Sequence, residues 1–115
     1  MTYSIERVAT LIGARCYGEQ NAMIGFLLTD SRSLCFPEET LFFALKSQRN
    51  DGHNYIPELY RRGVKNFVVT TVPSDWTTKY DHANFLQVTD TLKALQRLAE
   101  RHRDEFDVPI VGITG

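Results

Sequence analysis

The stretch Leu41-Phe42-Phe43-Ala44-Leu45 is an unbroken run of apolar residues. A strand covered on only one face alternates apolar and polar residues, so a run without polar residues is typical of a strand buried on both faces. Helical patterns occur before and after this run in the sequence, and such helices can pack against the two faces of the strand. The run therefore predicts a layered α/β domain, and a chain of 115 residues is long enough to bury the core of one such domain.

The other predicted elements are helices and strands in alternation. A first helix is predicted to begin after Ser4, a good N-cap residue, and to end at Gly13. Pro57 suits the first turn of a second helix, and the segment 71–83 is predicted as a loop. The predicted strands are residues 23–28, 41–45, 64–70, 84–88 and 108–114. Asp90 can cap a long helix, whose predicted inward face is Leu92, Leu95, Leu98, Ala99 and His102. This order predicts an α/β fold with a small mixed or mostly parallel sheet flanked by helices.

Composition and charge exclude several classes of function. The formal net charge is −1, which gives the chain no general attraction for nucleic acid or for an anionic membrane. No apolar run approaches the roughly 20 residues of a membrane span, and the amino-terminal residues lack the pattern of a signal peptide. Cys16 and Cys35 have no metal-binding spacing, and we expect them to be reduced and partly buried. These features predict a cytoplasmic protein.

Two polar segments follow neighbouring predicted strands. Asp30-Ser31-Arg32 comes after the strand at 23–28, and the loop from Lys46 to Asn54 comes after the strand at 41–45. If these strands are neighbours in the sheet, the two loops converge on one crevice at its edge, where α/β proteins usually bind ligands. Residues 46–65 hold five Lys or Arg against two acids, a balance that suits a phosphate or diphosphate. Ser31, Gln48 and Asn50 offer hydrogen-bonding groups to a base or a sugar.

Each of these features also has a purely structural interpretation. Asp30 in a turn commonly bonds to its own backbone, and a charged loop is commonly just solvated. Phe42 and Phe43 are expected in the core and not as a stacking platform. The histidines His53, His82 and His102 have no metal-ligand spacing, so no metal site is predicted.

The last residues, Val111-Gly112-Ile113-Thr114-Gly115, form a strand pattern that runs into glycine. Phosphate-binding loops open in this way, because glycine lets backbone N–H groups approach an anion. Such a loop needs a lysine and a hydroxyl residue a few positions further on, and the sequence stops before them. We therefore expect the chain to be truncated at the start of a phosphate-binding loop.

Three segments together carry a resemblance to a known family: Thr29 to Arg32, Leu41 to Lys46, and Asp51 to Ile56. Their residues and their order resemble the amino-terminal domain of Mur ligases, and the segments at 63–70 and 111–115 also fall in the family's order. The resemblance covers most of the chain. It implies the α/β fold of that domain and a site for the UDP end of UDP-N-acetylmuramoyl-tripeptide.

The resemblance also assigns residues by position. Thr29 and Ser31 match family residues at the uridine, residues 48–50 match the second contact loop, and Lys46 matches a lysine frequent in one branch. The predicted substrate-binding set is Thr29, Ser31, Arg32, Lys46, Ser47, Gln48, Arg49 and Asn50. The predicted start of the ATP-binding loop is Gly112, Thr114 and Gly115. The resemblance implies no catalytic residue within this chain, which is expected to be inactive alone.

In the family, ATP and Mg²⁺ phosphorylate a peptide carboxylate, and an amine then attacks the acyl phosphate. Leu45-Lys46 and the segment Ser33 to Pro37 favour the branch that adds D-alanyl-D-alanine. They also resemble a form fused to an alanine racemase, which would require pyridoxal phosphate. The branch that adds diaminopimelate or lysine shares the same amino-terminal layout and stays an alternative.

The domain prediction follows from these assignments. Residues 1–107 are expected to form the domain that binds the UDP substrate, and residues 108–115 the first strand and the start of a truncated ATP-binding domain. Two other functions stay open. One is a free-standing module for nucleotides or sugar phosphates that uses the same two loops. The other is an interaction domain whose loop at Trp76 meets a partner protein.

Overall fold

The computed structural model describes residues 3–18 and 21–102, except for the side chains of residues 101 and 102. The strands are β1 (Tyr3–Ser4), β2 (Arg15–Tyr17), β3 (Met23–Ile24), β4 (Phe26–Leu28), β5 (Thr40–Phe43), β6 (Asn66–Val69) and β7 (Asn84–Gln87). The helices are α1 (Ile5–Ile12), α2 (Ile56–Arg61), α3 (Trp76–Lys79) and α4 (Thr91–His102). Short 3-10 helices cover Ser31–Ser33, Pro37–Glu39 and Gly52–Tyr55. The predicted strand at 108–114 lies outside the described residues. So do the predicted ATP-binding residues Gly112, Thr114 and Gly115, and the side chain of His102.

The main sheet has five strands in the order β2-β7-β6-β5-β4. β4, β5, β6 and β7 are parallel, and β2 runs antiparallel to β7 at one edge. A separate two-stranded sheet pairs β1 with β3. The predicted α/β fold with a small, mostly parallel sheet is therefore confirmed.

Both faces of the main sheet are buried, as the apolar run in β5 predicts. Leu41 and Phe43 point to one side, where they join a core cluster with α1 and α4, while Phe42 points to the other side. On that second side, Phe67 of β6 and Phe85 of β7 stack with their ring centroids 5.3 Å apart. The alternation of side chains along each strand thus fills two cores, one on each face.

The predicted helix caps are confirmed. Ser4 Oγ accepts a hydrogen bond from the backbone N–H of Arg7 at 3.2 Å, and Gly13 ends α1 with a φ of 67°. Asp90 Oδ1 accepts a hydrogen bond from the backbone N–H of Lys93 at 3.1 Å and so caps α4. Pro57 lies in the first turn of α2, as predicted.

The predicted inward face of α4 is wrong at its start. Leu92 is 42% exposed, and Ala94 is buried in its place. The reason is Thr91, which is buried and donates a hydrogen bond from its hydroxyl to the carbonyl oxygen of Ala44 at 2.9 Å. This bond sets the rotation of the helix, so the buried residues follow Thr91 at helical spacing as Ala94, Leu95 and Leu98.

Several other predictions need correction. The single strand predicted at 23–28 is two short strands, because the chain changes sheet at Gly25. β1 and β2 were not predicted, and the predicted loop at 71–83 contains α3. Cys16 and Cys35 are free thiols as expected, but both are exposed and not partly buried. Cys16 lies on β2, which is an edge strand of the sheet formed by the described residues, so one side of its backbone is not covered by another described strand.

Candidate functional site

The two predicted binding loops lie at the same edge of the sheet. Residues 29–33 directly follow β4, and residues 44–55 follow β5, which is the parallel neighbour of β4. Because parallel strands end on the same side, the predicted convergence of the two loops at one edge is confirmed. We call this the carboxyl edge, comprising residues 29–33, 44–55, 70–73 and 88–90.

The first loop is stiffened by its own acidic residue. Asp30 accepts a hydrogen bond from the backbone N–H of Arg32 at 2.9 Å and one from its guanidinium Nη2 at 2.7 Å. These bonds lower the pKa of Asp30 to about 2, chiefly through the side-chain hydrogen bond from Arg32. Arg62, at the end of α2, donates to the carbonyl oxygen of Ser31 at 2.9 Å. The structural interpretation of Asp30 as a turn residue is therefore confirmed, and the loop is held from two sides.

The second loop is a tight turn. The backbone N–H of Ser47 donates to the carbonyl oxygen of Asn50 at 2.7 Å, and Ser47 Oγ accepts from the N–H of Asn50 at 3.2 Å. Lys46 and Asp51 form an antiparallel bridge at the base of the turn. Gln48 and Arg49 consequently stand at its tip, and both are exposed. This turn presents backbone and side-chain donors to the solvent.

Tyr55 braces the tip of the second loop. Its hydroxyl donates to Asn50 Oδ1 at 3.2 Å. The pKa of Arg32 is raised, mainly by the hydrogen bond and the charge of Asp30 and to a smaller extent by Tyr55. Tyr55 therefore supports the tip of the second loop and lies near enough to Arg32 of the first loop to act on its charge. Tyr55 was not among the predicted site residues.

A hydrogen-bonded chain crosses the carboxyl edge behind the second loop. Asp51 Oδ1 lies 2.6 Å from His53 Nδ1, and the backbone N–H of Thr70 donates to His53 Nε2 at 3.1 Å. These contacts assign the proton to Nδ1, because the Thr70 N–H requires a lone pair on Nε2. Thr70 Oγ1 also lies 3.3 Å from Nε2. Although carboxylate, imidazole and hydroxyl stand in the order of a catalytic triad, the backbone N–H already uses the lone pair that a general base needs.

The hydrogen-bonded chain of Asp51, His53 and Thr70 continues across the sheet. Gln87 Nε2 donates to the carbonyl oxygen of Thr70 at 3.2 Å, and the hydroxyl of Tyr17 donates to Gln87 Oε1 at 3.3 Å. A cleft of about 420 Å³ opens beside these hydrogen-bonded residues, between the ends of β5 and β6. It is lined by polar residues, among them Lys46, His53 and Thr70, and by apolar ones such as Pro57. In residues 3–18 and 21–102, no group of three or more His, Cys, Asp or Glu could hold a metal ion.

The opposite edge of the same strands is built differently. Thr40, Asn66 and Asn84 are the first residues of β5, β6 and β7, and all three are buried. Asn84 Nδ2 donates to Asn66 Oδ1 at 3.0 Å, and Thr40 Oγ1 donates to the carbonyl oxygen of Phe36 at 2.6 Å. We call these residues and their surroundings the amino edge. A cavity of about 730 Å³ lies there, bordered by the exposed Phe36 and Met23.

Most predicted site residues are thus brought to one edge, whereas Gly112, Thr114 and Gly115 are not described. The prediction missed Tyr55 and His53, whose side chains form hydrogen bonds with Asn50 and Asp51 of the second loop. Both lie in the segment Asp51 to Ile56 that carries the family resemblance, which was the available signal. Within the described part of the chain, no helix has the length and apolar character needed to cross a membrane.

Comparison with known proteins identifies relatives of this chain. No family model matches it. It is 38% identical over 96 residues to UDP-N-acetylmuramoyl-tripeptide--D-alanyl-D-alanine ligase of Synechocystis, covering 84% of this chain and 20% of that protein. It is 36% identical over 98 residues to the ligase of the same name from Bacillus subtilis, again covering 84% of this chain and 20% of the relative. A third relative is UDP-N-acetylmuramoyl-L-alanyl-D-glutamate--2,6-diaminopimelate ligase of Geobacter sulfurreducens, 34% identical over 96% of this chain and 21% of that protein.

A solved structure agrees with these relatives in fold. It is the UDP-N-acetylmuramoylalanyl-D-glutamyl-2,6-diaminopimelate--D-alanyl-D-alanyl ligase of Acinetobacter baumannii, which matches 90% of this chain and 22% of its own with a TM-score of 0.74 and 24% identity. The chain spans about a fifth of the length of the curated relatives it matches. On its sequence and its fold, the chain belongs to the Mur ligase family, as a homologue of the amino-terminal domain.

Proposed function

We propose that this chain recognises UDP-N-acetylmuramoyl-tripeptide for an ATP-dependent ligase that adds D-alanyl-D-alanine during peptidoglycan synthesis. The observation that carries the proposal is that the two loops follow neighbouring parallel strands and so lie at the same carboxyl edge. Two relatives that are 38% and 36% identical to the chain are named as ligases of UDP-N-acetylmuramoyl-tripeptide and D-alanyl-D-alanine. An exposed edge that offers hydroxyls, amides and cations suits a nucleotide with a diphosphate.

The cations of the two loops differ in whether they are available to a diphosphate. Arg32 is already paired with Asp30 at 2.7 Å, and Lys46 lies at the base of the second turn, where its backbone bridges to Asp51. Arg49 is exposed at the tip of the second turn and is the cation that we assign to the diphosphate. Thr29, Ser31 and Arg32 would hold the uridine from the first loop, with Ser47, Gln48 and Asn50 reaching it from the second. These are hydrogen-bonding groups of both donor and acceptor kind.

The chemistry belongs to the whole ligase that we propose. Residues 1–107 would form the substrate domain and residues 108–115 the start of an ATP-binding domain, with Gly112, Thr114 and Gly115 opening its loop. ATP with Mg²⁺ would there supply the phosphoryl group that activates the peptide carboxylate. We place this reaction in the cytoplasm, and expect residues 1–115 alone to form no amide bond. A fused racemase with pyridoxal phosphate stays an untested prediction.

The branch that adds diaminopimelate is the second candidate, favoured by the Geobacter relative that covers 96% of this chain. The two loops face the UDP end, which both branches share, so they do not separate the candidates. The longest reading frame that contains residues 1–115 should be assayed for amide formation. Product from the tripeptide and D-alanyl-D-alanine supports our proposal, whereas product from the dipeptide and diaminopimelate supports the other branch.

The interaction-domain alternative is disfavoured by the surroundings of Trp76. Its ring packs edge-on against Tyr17 with centroids 6.0 Å apart and against Phe85 at 6.4 Å. Trp76 thus closes the second core and is only partly exposed. An aromatic anchor for a partner protein would instead present its ring to the solvent.

Titration calorimetry with UDP-N-acetylmuramoyl-tripeptide tests the proposal. We expect a dissociation constant nearer the millimolar than the micromolar range, on the order of −4 to −6 kcal/mol, because other domains would supply part of the grip. Ser31→Ala should weaken binding by about 1 kcal/mol. Arg49→Ala should weaken it more, increasingly so at low salt. The matched control is Arg97→Ala on α4, an exposed arginine away from both loops, which should leave affinity unchanged. Equal losses in Arg49→Ala and Arg97→Ala would contradict the assignment.

A further inference from the structure

His53 is the central member of the hydrogen-bonded chain at the carboxyl edge, and it is only partly exposed. Its Nδ1 contacts Asp51 at 2.6 Å, and its Nε2 accepts from the backbone N–H of Thr70 at 3.1 Å. Asp51 belongs to the base of the second loop, while Thr70 directly follows β6. One imidazole ring therefore joins the loop to the neighbouring strand.

The base of the second loop is fixed to the sheet on its other side as well. Gly52 N–H donates to the carbonyl oxygen of Leu45 at 2.6 Å. A Cβ on Gly52 would lie 2.7 Å from the backbone nitrogen of Leu45, so the chain packs closely there. Asp51 also accepts a hydrogen bond from the backbone N–H of His53 at 3.0 Å. The position of the turn at 47–50 thus depends on Gly52 at one side and on His53 at the other.

We infer that His53 is a positioning residue of this site, whose uncharged ring sets the second loop for ligand by joining Asp51 to the end of β6. This inference rests on the proposed function, because it concerns the loop that would hold the UDP end. His53 lies behind the turn and need not touch the ligand. Its effect passes through Asp51 to the adjacent Asn50, which is also the acceptor for Tyr55.

The inference makes the site dependent on pH. A second proton on Nε2 removes the lone pair that accepts the Thr70 N–H, and the ring then points an N–H at an N–H. The charged and titratable side chains that line the same cleft are Lys46, Asp51 and Tyr80. None of these side chains replaces the acceptor that the Thr70 N–H loses. Acid should therefore detach Thr70 from the ring and free the base of the loop.

The first measurement needs no ligand. In NMR spectra of the 115-residue chain acidified from about pH 8 to about pH 5, the Thr70 amide signal should change together with the ring signals of His53. The matched variants are His53→Gln, which can still accept from Thr70 without titrating in this range, and His82→Gln. His82 is exposed and pairs with Asp81 at 3.2 Å. The Thr70 response should vanish in His53→Gln and persist in His82→Gln; a Thr70 amide that ignores the ring overturns the inference.

The second measurement uses UDP-N-acetylmuramoyl-tripeptide at pH 7.5 and pH 5.5. Affinity of the unmodified chain should fall about fivefold on acidification, the equivalent of one ordinary hydrogen bond, and should stay level in His53→Gln. Binding that falls equally in both proteins, or in neither, overturns the positioning role while leaving the proposed function intact. No binding at pH 7.5 overturns the proposed function, and the positioning role with it.

Discussion

The carboxyl edge and the amino edge are two ends of the same parallel strands, yet they use polar residues in opposite ways. At the amino edge, Asn66 and Asn84 are each 1% exposed and bond to each other inside the core. At the carboxyl edge, Asn50 and Tyr55 bond to each other on exposed loops. Buried polar groups mainly stabilise a fold, whereas exposed and mutually oriented ones are free to bind a ligand. The comparison predicts that changes at the amino edge affect stability and changes at the carboxyl edge affect binding.

The largest expected effect is at Gly18, beside the amino edge. Its φ is 130°, and an added Cβ would lie 2.5 Å from Asn84 Oδ1 and 2.7 Å from the carbonyl oxygen of Ala83. Gly18→Ala should therefore lower the free energy of unfolding by about 2–4 kcal/mol, from backbone strain and overpacking together. Urea denaturation measures it. The matched control is Gly13→Ala, with φ 67° and no atom within 4 Å of the added Cβ, which should cost about 1 kcal/mol. Equal losses would mean that the amino edge is not closely packed.

A smaller loss of stability is expected from Asn66→Ala. The substitution removes the acceptor of the 3.0 Å bond from Asn84 Nδ2. It also removes Asn66 Nδ2, which has no hydrogen-bond partner among the described residues, so the loss should stay near 1 kcal/mol. Affinity for UDP-N-acetylmuramoyl-tripeptide, measured by calorimetry, should not change. Weaker binding in this variant would break the separation between the two edges.

Tyr55→Phe should show the reverse pattern. It removes the hydroxyl that orients Asn50, so affinity should fall by about 0.5 kcal/mol while the free energy of unfolding stays nearly constant. The matched control is Tyr60→Phe, which removes a hydroxyl that donates to the carbonyl oxygen of Asp81 at 2.7 Å, away from the two loops. That variant should change stability only. If Tyr55→Phe lost stability and kept its affinity, Tyr55 would be a structural residue.

The smallest effect is expected at Asp30. Its pKa of about 2 lies below the ordinary value of 3.8, so its pairing with Arg32 favours the fold above about pH 4 and is lost as the pH falls through 2. The side chains of Arg32 and Asp30 are 87% and 38% exposed, and screening by solvent should keep the contribution of the pair to stability small. Carboxyl ¹³C NMR should show the low pKa in the unmodified chain and a higher pKa in Arg32→Gln, still below 3.8 because the backbone N–H of residue 32 continues to donate to Asp30. An unchanged pKa in the variant would show that Arg32 is not its cause.

Much of this contrast was predictable from sequence, because it follows from periodicity. The apolar run at Leu41 predicts a strand covered on both faces, and the polar stretches after two such strands predict loops at one edge. Strand ends were less predictable: one strand was expected at 23–28, where the chain changes sheet at Gly25. β2 gives no periodic signal in three residues and depends on pairing with β7, which is distant in the chain.

The unpredicted parts of the site depend on contacts between distant residues. His53 meets Thr70, which lies 17 positions further along the chain, and no local pattern shows that pair. Thr91 likewise bonds to Ala44, 47 positions earlier, and so sets the rotation of α4 that exposes Leu92. Local propensity predicts an element, but its rotation and its side-chain partners are decided by tertiary packing.

Amide NMR during titration with UDP-N-acetylmuramoyl-tripeptide tests the central claim most directly, because it observes both edges at once. We expect the amide signals of Ser31, Arg32 and residues 48–50 to move together with one dissociation constant. Signals at the amino edge, such as those of Phe36 and Asn66, should stay in place. Movement at the amino edge with a silent carboxyl edge, or no movement at ligand concentrations of several times the expected roughly millimolar dissociation constant, would contradict the account.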